Sequence, residues 1–229
     1  MKKIDFDNYA DEYNKILDDQ LNFFSADSQY FAEYKVKQAK AVLPQTPKTI
    51  LDFGCGIGRS IHFFQKYFPS SQIYGCETSE KSLEIARKQF PSAHFYQTQE
   101  LASLGMRFDL IFLAGVLHHI EVKDRRPTIE LISAALQPQG NILIFEHNPF
   151  NPMTRHLVNT CPFDRDAVLL KPTETKQLLT DAGIHKIKHY YTLFFPAALK
   201  WLRPLEYYLR HLPLGGQYLV QGTAAKLIP

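Results

Sequence analysis

The most constraining feature of the chain is the run ILDFGCGIGRS at 50–60, where a short apolar segment passes through Gly54, Gly56 and Gly58 and enters a helical pattern. Glycine lacks a Cβ, so a turn of this kind lets bare backbone come close to a ligand at the start of a helix. Spacing then decides between ligands. A dinucleotide fingerprint reads GxGxxG, and the place of its third glycine is taken here by Arg59. No GK[ST] follows, which removes a phosphate loop. What remains is Asp52-x-Gly54-x-Gly56-x-Gly58, a carboxylate at a strand end followed by three alternate glycines.

Around this turn, short apolar runs alternate with amphipathic stretches, the pattern of βα units in a parallel sheet. Strands are expected at 49–53, 72–76, 93–97, 108–114 and 140–146, with helices at about 58–68, 79–90 and 126–136. Ser79 is the expected N-cap of the second helix. The segment 98–107 has room for a short helix only. Further on, Pro172, Thr173 as a cap, and Gly183 bracket another helix. A sixth strand is expected at 184–193 and an antiparallel seventh at 217–224. The expected fold is α/β: a Rossmann-like, seven-stranded, mostly parallel sheet with an antiparallel last strand, helices on both faces and an N-terminal helical lid. At 229 residues the chain suits a single domain. Within it, 1–46 form the lid, 47–146 the ligand-binding core, 147–171 a substrate-side insertion, and 172–229 the rest of the sheet with an amphipathic crossover.

A hydrophobic fraction of 45% and a charged fraction of 21% are ordinary for a globular chain and exclude disordered and fibrous classes. No apolar run reaches the ~18 residues of a membrane span, and MKKIDFDNYADEY is acidic and aromatic where a signal peptide is basic and then apolar. A cytoplasmic location is expected. Cys55, Cys76 and Cys161 make an odd set without CxxC spacing, which argues against a disulfide framework or zinc knuckle. The net charge of +3 is too small to imply nucleic acid, and none is expected as a partner. The basic excess sits in 185–229. There Trp201, Leu205, Tyr208 and Leu212 alternate with Lys200, Arg203 and Arg210, so 194–213 is a possible contact for a membrane surface or a second copy.

About twenty residues after the turn, the next strand ends IYGCETS and places Glu77 at its carboxyl end, where a carboxylate can accept two ribose hydroxyls. With the later FYQTQEL, FDLIFLAGVLHHI and LQPQGNILIFE, the chain over about 5–185 resembles the class I S-adenosylmethionine-dependent methyltransferases. The resemblance implies S-adenosylmethionine as cofactor and S-adenosylhomocysteine as product. Asp52, Gly54, Cys55, Gly56 and Gly58 would border the amino-acid tail, with Glu77 on the ribose and Thr78 beside the adenosine. Gln97 and Thr98 would meet the adenine edge, where the family often has an aspartate, and Ala114 and Gly115 would close the fourth strand. FDNYADEY resembles the segment before the domain in many small-molecule methyltransferases, which makes Tyr13 part of an aromatic lid; Tyr34 and Lys35 could meet the cofactor carboxylate.

In an open α/β sheet the ligands lie at the carboxyl ends of strands, which places 115–120 and 146–151 at the reacting centre. His118, His119 and His147 are the candidate bases, with Glu146 as an orienting partner or substrate contact. Neighbouring histidines on a turn are expected to point apart, so no metal site is expected from them. EHNPFNPMTRHLVNTCPFD resembles a run in a subgroup of bacterial methyltransferases and is expected to form the substrate wall, with Asn148, Arg155, His156 and Asp164 as polar contacts and Cys161 a buried small residue. The [DN]PP[YF] signature of amino-methylating nucleic-acid enzymes is absent after the fourth strand. The expected activity is methyl transfer to oxygen or nitrogen of a small molecule. The rival readings are a nonenzymatic cofactor-binding scaffold and an RNA or protein methyltransferase.

Overall fold

A computed structural model describes Asp7 and residues 29–226. Helix α1 (Gln29–Val42) leads into β1 (Thr49–Phe53), α2 (Ile61–Tyr67), β2 (Gln72–Glu77), α3 (Glu80–Gln89), β3 (His94–Gln97), β4 (Phe108–Ala114), α4 (Val122–Ala134), β5 (Leu136–His147), α5 (Pro152–Thr160), α6 (Pro172–Asp181), β6 (Ile184–Thr192), α7 (Glu206–Leu209) and β7 (Gln217–Ala224). The strands form one sheet in the order β3-β2-β1-β4-β5-β7-β6. Pairings from β3 through β5 are parallel, and β7 runs antiparallel to both β5 and β6. This is the expected seven-stranded architecture.

Strand periodicity divides the core. Leu51, Phe53, Ile111 and Leu113 pack on one face with Ile129 and Ile132 of α4 and Leu179 of α6. Ile50, Leu110, Phe112 and Phe145 pack on the other with Val36 and Ala39 of α1, Phe64 of α2, and Leu83 and Ala86 of α3. The central strands are apolar on both sides because helices cover both, as a parallel sheet requires.

Three local expectations need correction. Helix α4 runs from Val122 to Ala134, where the expected span was about 126–136, and Pro127 lies inside it. Lys171, not Thr173, is the cap of α6: Pro172 takes the first helical position, and the Lys171 N–H donates to Glu174 Oε2 at 2.6 Å. Between β6 and β7 the chain forms a 3-10 turn, Ala197–Leu205, and only one turn of α-helix. Ser79 does cap α3, accepting from the Ser82 N–H at 3.1 Å. Among the described residues no helix is long and apolar enough to cross a membrane.

The order of the sheet positions the site. Strand β1 is followed by a crossover toward β2 and β4 by one toward β5, so the chain diverges on either side of the β1–β4 pair and leaves a crevice beyond their carboxyl ends. The glycine turn and Gly115 both emerge there.

Candidate functional site

The turn stays tied to the sheet as it leaves β1. Gly54 and Cys55 N–H groups both donate to the Cys76 carbonyl, at 2.8 and 3.1 Å. Gly54, Gly56 and Gly58 all have left-handed φ, of 73°, 53° and 87°, but they serve different ends. A Cβ on Gly54 would stand 2.6 Å from Val116 Cγ2, and one on Gly58 2.8 Å from Phe90 Cε2. These two permit close packing. A Cβ on Gly56 would meet nothing within 4 Å, because Gly56 borders open cavity.

Two cavities, of about 500 and 470 Å³, meet at Gly54, Gly56, Ala114, Gly115 and His119. Glu77, Thr78 and Thr98 line the smaller one. Glu77 Oε2 accepts from the Gly56 N–H at 3.0 Å, while Oε1 accepts from the Thr78 and Ser79 N–H groups at 2.6 and 3.1 Å. The carboxylate thus holds the glycine turn to the end of β2 and stands at the cavity with lone-pair capacity left on Oε2. Gln97 does not line this cavity, whereas Thr98 does: the Gln97 Nε2 donates to Glu80 Oε2 at 2.6 Å, which turns the amide toward α3. Asp7 reaches the same cavity. Tyr13, expected as a lid residue, lies outside the described residues.

The larger cavity holds the charged groups that a zwitterionic tail needs. Asp52 is buried at its edge, and Oδ2 has no hydrogen-bond partner. Burial, with the Glu77 charge nearby, raises its carboxyl pKa to about 7. Lys35 lines the cavity, its ammonium pKa lowered to about 8 by burial and by the cation of Arg59, which also lines it. A buried, unpartnered carboxylate oxygen and two cations lining one cavity fit an α-amino and α-carboxyl pair. Arg59 stands where a dinucleotide fingerprint has its third glycine, and its position directly after the turn is the sequence signal for this role. Tyr34 is not at this site. Its hydroxyl donates to Glu206 and accepts from the Leu193 N–H at 3.1 Å.

The three histidines converge beside the tail site, contrary to the expectation that His118 and His119 point apart. Their ring centroids are 4.1 Å apart, and His147 lies 4.9 Å from His118. The reason is a 3-10 turn, Leu117–His119, gripped from two sides. Glu146 Oε1 accepts from the Val116 and Leu117 N–H groups at 3.1 and 2.7 Å, and Oε2 pairs with His118 Nδ1 at 2.6 Å. Arg125 donates from Nε to the Leu117 and Ile120 carbonyls and from Nη2 to that of Val168. Burial opposes charge on His118, yet Glu146 and Asp164 overcome it and hold the imidazole pKa at about 9. Glu146 is correspondingly held near 2, its own burial penalty outweighed by His118. Burial and the neighbouring His118 cation push His119 and His147 down to about 4, so both are neutral at pH 7. His118, His119 and His147 all line the larger cavity.

Of the expected polar contacts in and beside the insertion, Asp164 lines the larger cavity, whereas Glu146, Asn148, Arg155 and His156 do not. Glu146 is buried behind the histidines as an orienting group, not as a substrate contact. Asn148 is fully buried and donates from Nδ2 to the Pro213 and Gly215 carbonyls at 3.1 and 2.7 Å, pinning a strap of chain. Arg155 and His156 are exposed on the outer side of α5. Met153, Thr154, Leu157 and Val158 line the cavity instead, since positions i and i+4 share a helical face and 155–156 fall on the opposite one. Opposite them stand Phe194, Phe195 and Leu214, which no local motif marked. Cys161 is buried at this wall, and all three cysteines are free thiols.

Residues 51–142 match the family described as methyltransferase domain, and the fold is shared with solved S-adenosylmethionine-dependent methyltransferases. Among curated relatives, trans-aconitate 2-methyltransferase of Variovorax paradoxus is 31% identical over 109 residues, covering 46% of this chain and 40% of that protein. The chain spans less than two thirds of the length of the first curated relatives it matches. Among solved structures, a Thermotoga maritima methyltransferase described as a possible histamine N-methyltransferase superposes with a TM-score of 0.67 at 19% identity, covering 95% of this chain and 97% of that one. Phosphoethanolamine N-methyltransferase 2 of Haemonchus contortus, in complex with S-adenosylmethionine, gives 0.65 at 14% identity, covering 98% and 61%.

Proposed function

We propose that this protein transfers the methyl group of S-adenosylmethionine to oxygen or nitrogen of a small acceptor with an apolar body. The larger cavity carries this reading. Its lining combines Asp52, Lys35 and Gly56 with three histidines and with the apolar Phe31, Met153, Leu157, Phe194, Phe195 and Leu214. One cavity thus offers charged groups for a cofactor tail, polar groups for the reacting atoms and apolar surface for an acceptor body. Small acceptors are also what the names of the trans-aconitate, histamine and phosphoethanolamine enzymes describe.

The bound cofactor supplies an electrophilic methyl carbon, and this chain supplies position. Holding an acceptor atom in line with that carbon is worth ~7 kcal/mol or more. Asp52, Lys35 and Arg59 would fix the tail and Glu77 the ribose. The apolar wall excludes water that would otherwise solvate the nucleophile. The neutral imidazoles of His119 and His147 can accept a hydrogen bond from an acceptor hydroxyl or amine at neutral pH. The test is incubation of the purified protein with S-adenosylmethionine and a panel of hydroxy-, carboxy- and amino-bearing aromatic and aliphatic compounds, followed by mass spectrometry. A methylated acceptor with matching S-adenosylhomocysteine is the expected result. Calorimetry showing that S-adenosylhomocysteine does not bind would overturn the reading.

A further inference from the structure

We propose that His118, His119 and Asp164 form a binding site for a divalent transition-metal ion of the zinc type, placed at the acceptor end of the cavity. Asp164 Oδ1 lies 3.3 Å from His119 Nε2 and 3.7 Å from His118 Nε2. One ligand atom from each of the three residues lies within 4.8 Å of the other two. Metal–ligand bonds of 2.0–2.1 Å in a tetrahedron put neighbouring ligand atoms about 3.3 Å apart. The Asp164–His119 separation already has that value, and the Asp164–His118 one needs a few tenths of an ångström.

The surroundings of the two imidazoles supply an independent observation. Metal-bound histidines commonly turn their other ring nitrogen to a carboxylate, which fixes the ring and raises its basicity. Glu146 Oε2 stands 2.6 Å from His118 Nδ1, and Asp166 Oδ1 stands 3.8 Å from His119 Nδ1. Both Nε2 atoms are thereby aimed at the same carboxylate. Three carboxylates close on two imidazoles, all of them buried or nearly so, and a divalent cation offsets that concentration of negative charge. Two nitrogens and one oxygen leave a fourth position open, the arrangement of catalytic and not structural zinc sites. His118, His119 and Asp164 all line the larger cavity, so the open position faces acceptor space.

The role of the ion rests on the proposed methyl transfer; its binding does not. An acceptor hydroxyl in the fourth position would lose its proton to water more readily. Its oxygen lone pair would then form the O–CH₃ bond as the S–CH₃ bond breaks, the electron pair returning to sulfur to give the neutral thioether.

The experiment adds Zn²⁺, and separately Co²⁺, to metal-stripped protein without cofactor, and reads stoichiometry by elemental analysis and coordination by the Co²⁺ visible spectrum. One ion per chain with a four- or five-coordinate spectrum is expected, with binding at least 100-fold weaker in Asp164→Asn and in His119→Asn. Fewer than about 0.2 ions per chain, equal binding in a folded variant, or a thiolate charge-transfer band that places the ion on a cysteine would overturn the site. S-adenosylhomocysteine affinity is measured on the same samples. Cofactor binding without metal binding defeats this proposal alone, and metal binding without cofactor binding defeats the methyl-transfer reading while the site stands.

Discussion

Asp52 concentrates the physical chemistry of the cofactor half in a single residue. Its carboxyl pKa of about 7 reflects burial and the nearby Glu77 charge, only partly offset by Lys35. The folded-state value lies above the ordinary one, so ionising Asp52 costs stability, and that cost appears as pH rises toward and through 7. A bound α-ammonium reverses the balance, because it favours the ionised form. Cofactor affinity is therefore expected to rise with pH: between pH 5.5 and 7.5 the dissociation constant of S-adenosylhomocysteine should fall roughly twentyfold, with proton release on binding near pH 6. Calorimetry in buffers of different ionisation enthalpy checks both, and Asp52→Asn should bind weakly at every pH with no slope. Glu77 acts through hydrogen bonds rather than a titration. Replacing it by alanine would remove the proposed ribose acceptor and free the Gly56 and Thr78 N–H groups it now holds. A loss of about 1.5–3 kcal/mol, or 10- to 150-fold in cofactor affinity, is expected. A folded Glu77→Ala protein that binds within twofold of wild type would remove this residue from the site.

At the scale of elements, α5 shows how a helix sorts its residues by face. Asn151 caps it by accepting from the Thr154 N–H at 3.0 Å, Pro152 opens it, and a 100° step per residue then sends Met153 and Leu157 to the cavity and Arg155 and His156 to solvent. The four residues consequently separate in a kinetic assay. Met153→Ala and Leu157→Ala should raise the acceptor KM about tenfold or change acceptor preference, with cofactor affinity preserved. Arg155→Ala should leave both constants within twofold. An acceptor defect confined to Arg155→Ala would show that α5 turns its other face to the substrate.

For the whole molecule, the C-terminal crossover completes a cavity that the parallel half of the sheet leaves open. Phe194 and Phe195 form its wall because their N–H groups donate to Glu206 Oε1 at 3.0 and 3.3 Å, while Tyr34 of α1 donates to the other oxygen. Arg203 stacks over Tyr30 and Tyr34, with 4.2 and 4.9 Å to their centroids. Glu206 thus ties the first described helix to the crossover, although Trp201, Tyr207 and Tyr208 outside it are 70, 62 and 78% exposed. Glu206→Ala leaves two backbone donors and a buried hydroxyl without an acceptor, at a cost of about 2–4 kcal/mol. Limited proteolysis should then cut within 194–213 several-fold faster than in wild type, and urea denaturation should shift by that amount. Unchanged cleavage would mean that the wall stands without this carboxylate.

What the sequence by itself determined is the part governed by local rules. Strand period, turn chemistry and caps placed β1 to β4, β6 and β7 within a residue or two, and the glycine spacing with Glu77 marked residues that line the two cavities, because these features depend on neighbours a few residues away. Only the tertiary structure decided which side chains of the insertion face the cavity and how the histidines lie. Glu146 and Asp164 reach His118 from 28 and 46 positions along the chain, and Leu193 to Pro196 and Leu214 close the cavity from the far end of the sequence. No periodicity records such pairings. Packing then sets the charge states: the buried carboxylates Glu146 and Asp164 hold His118 protonated, while burial and the His118 cation keep its two neighbours neutral.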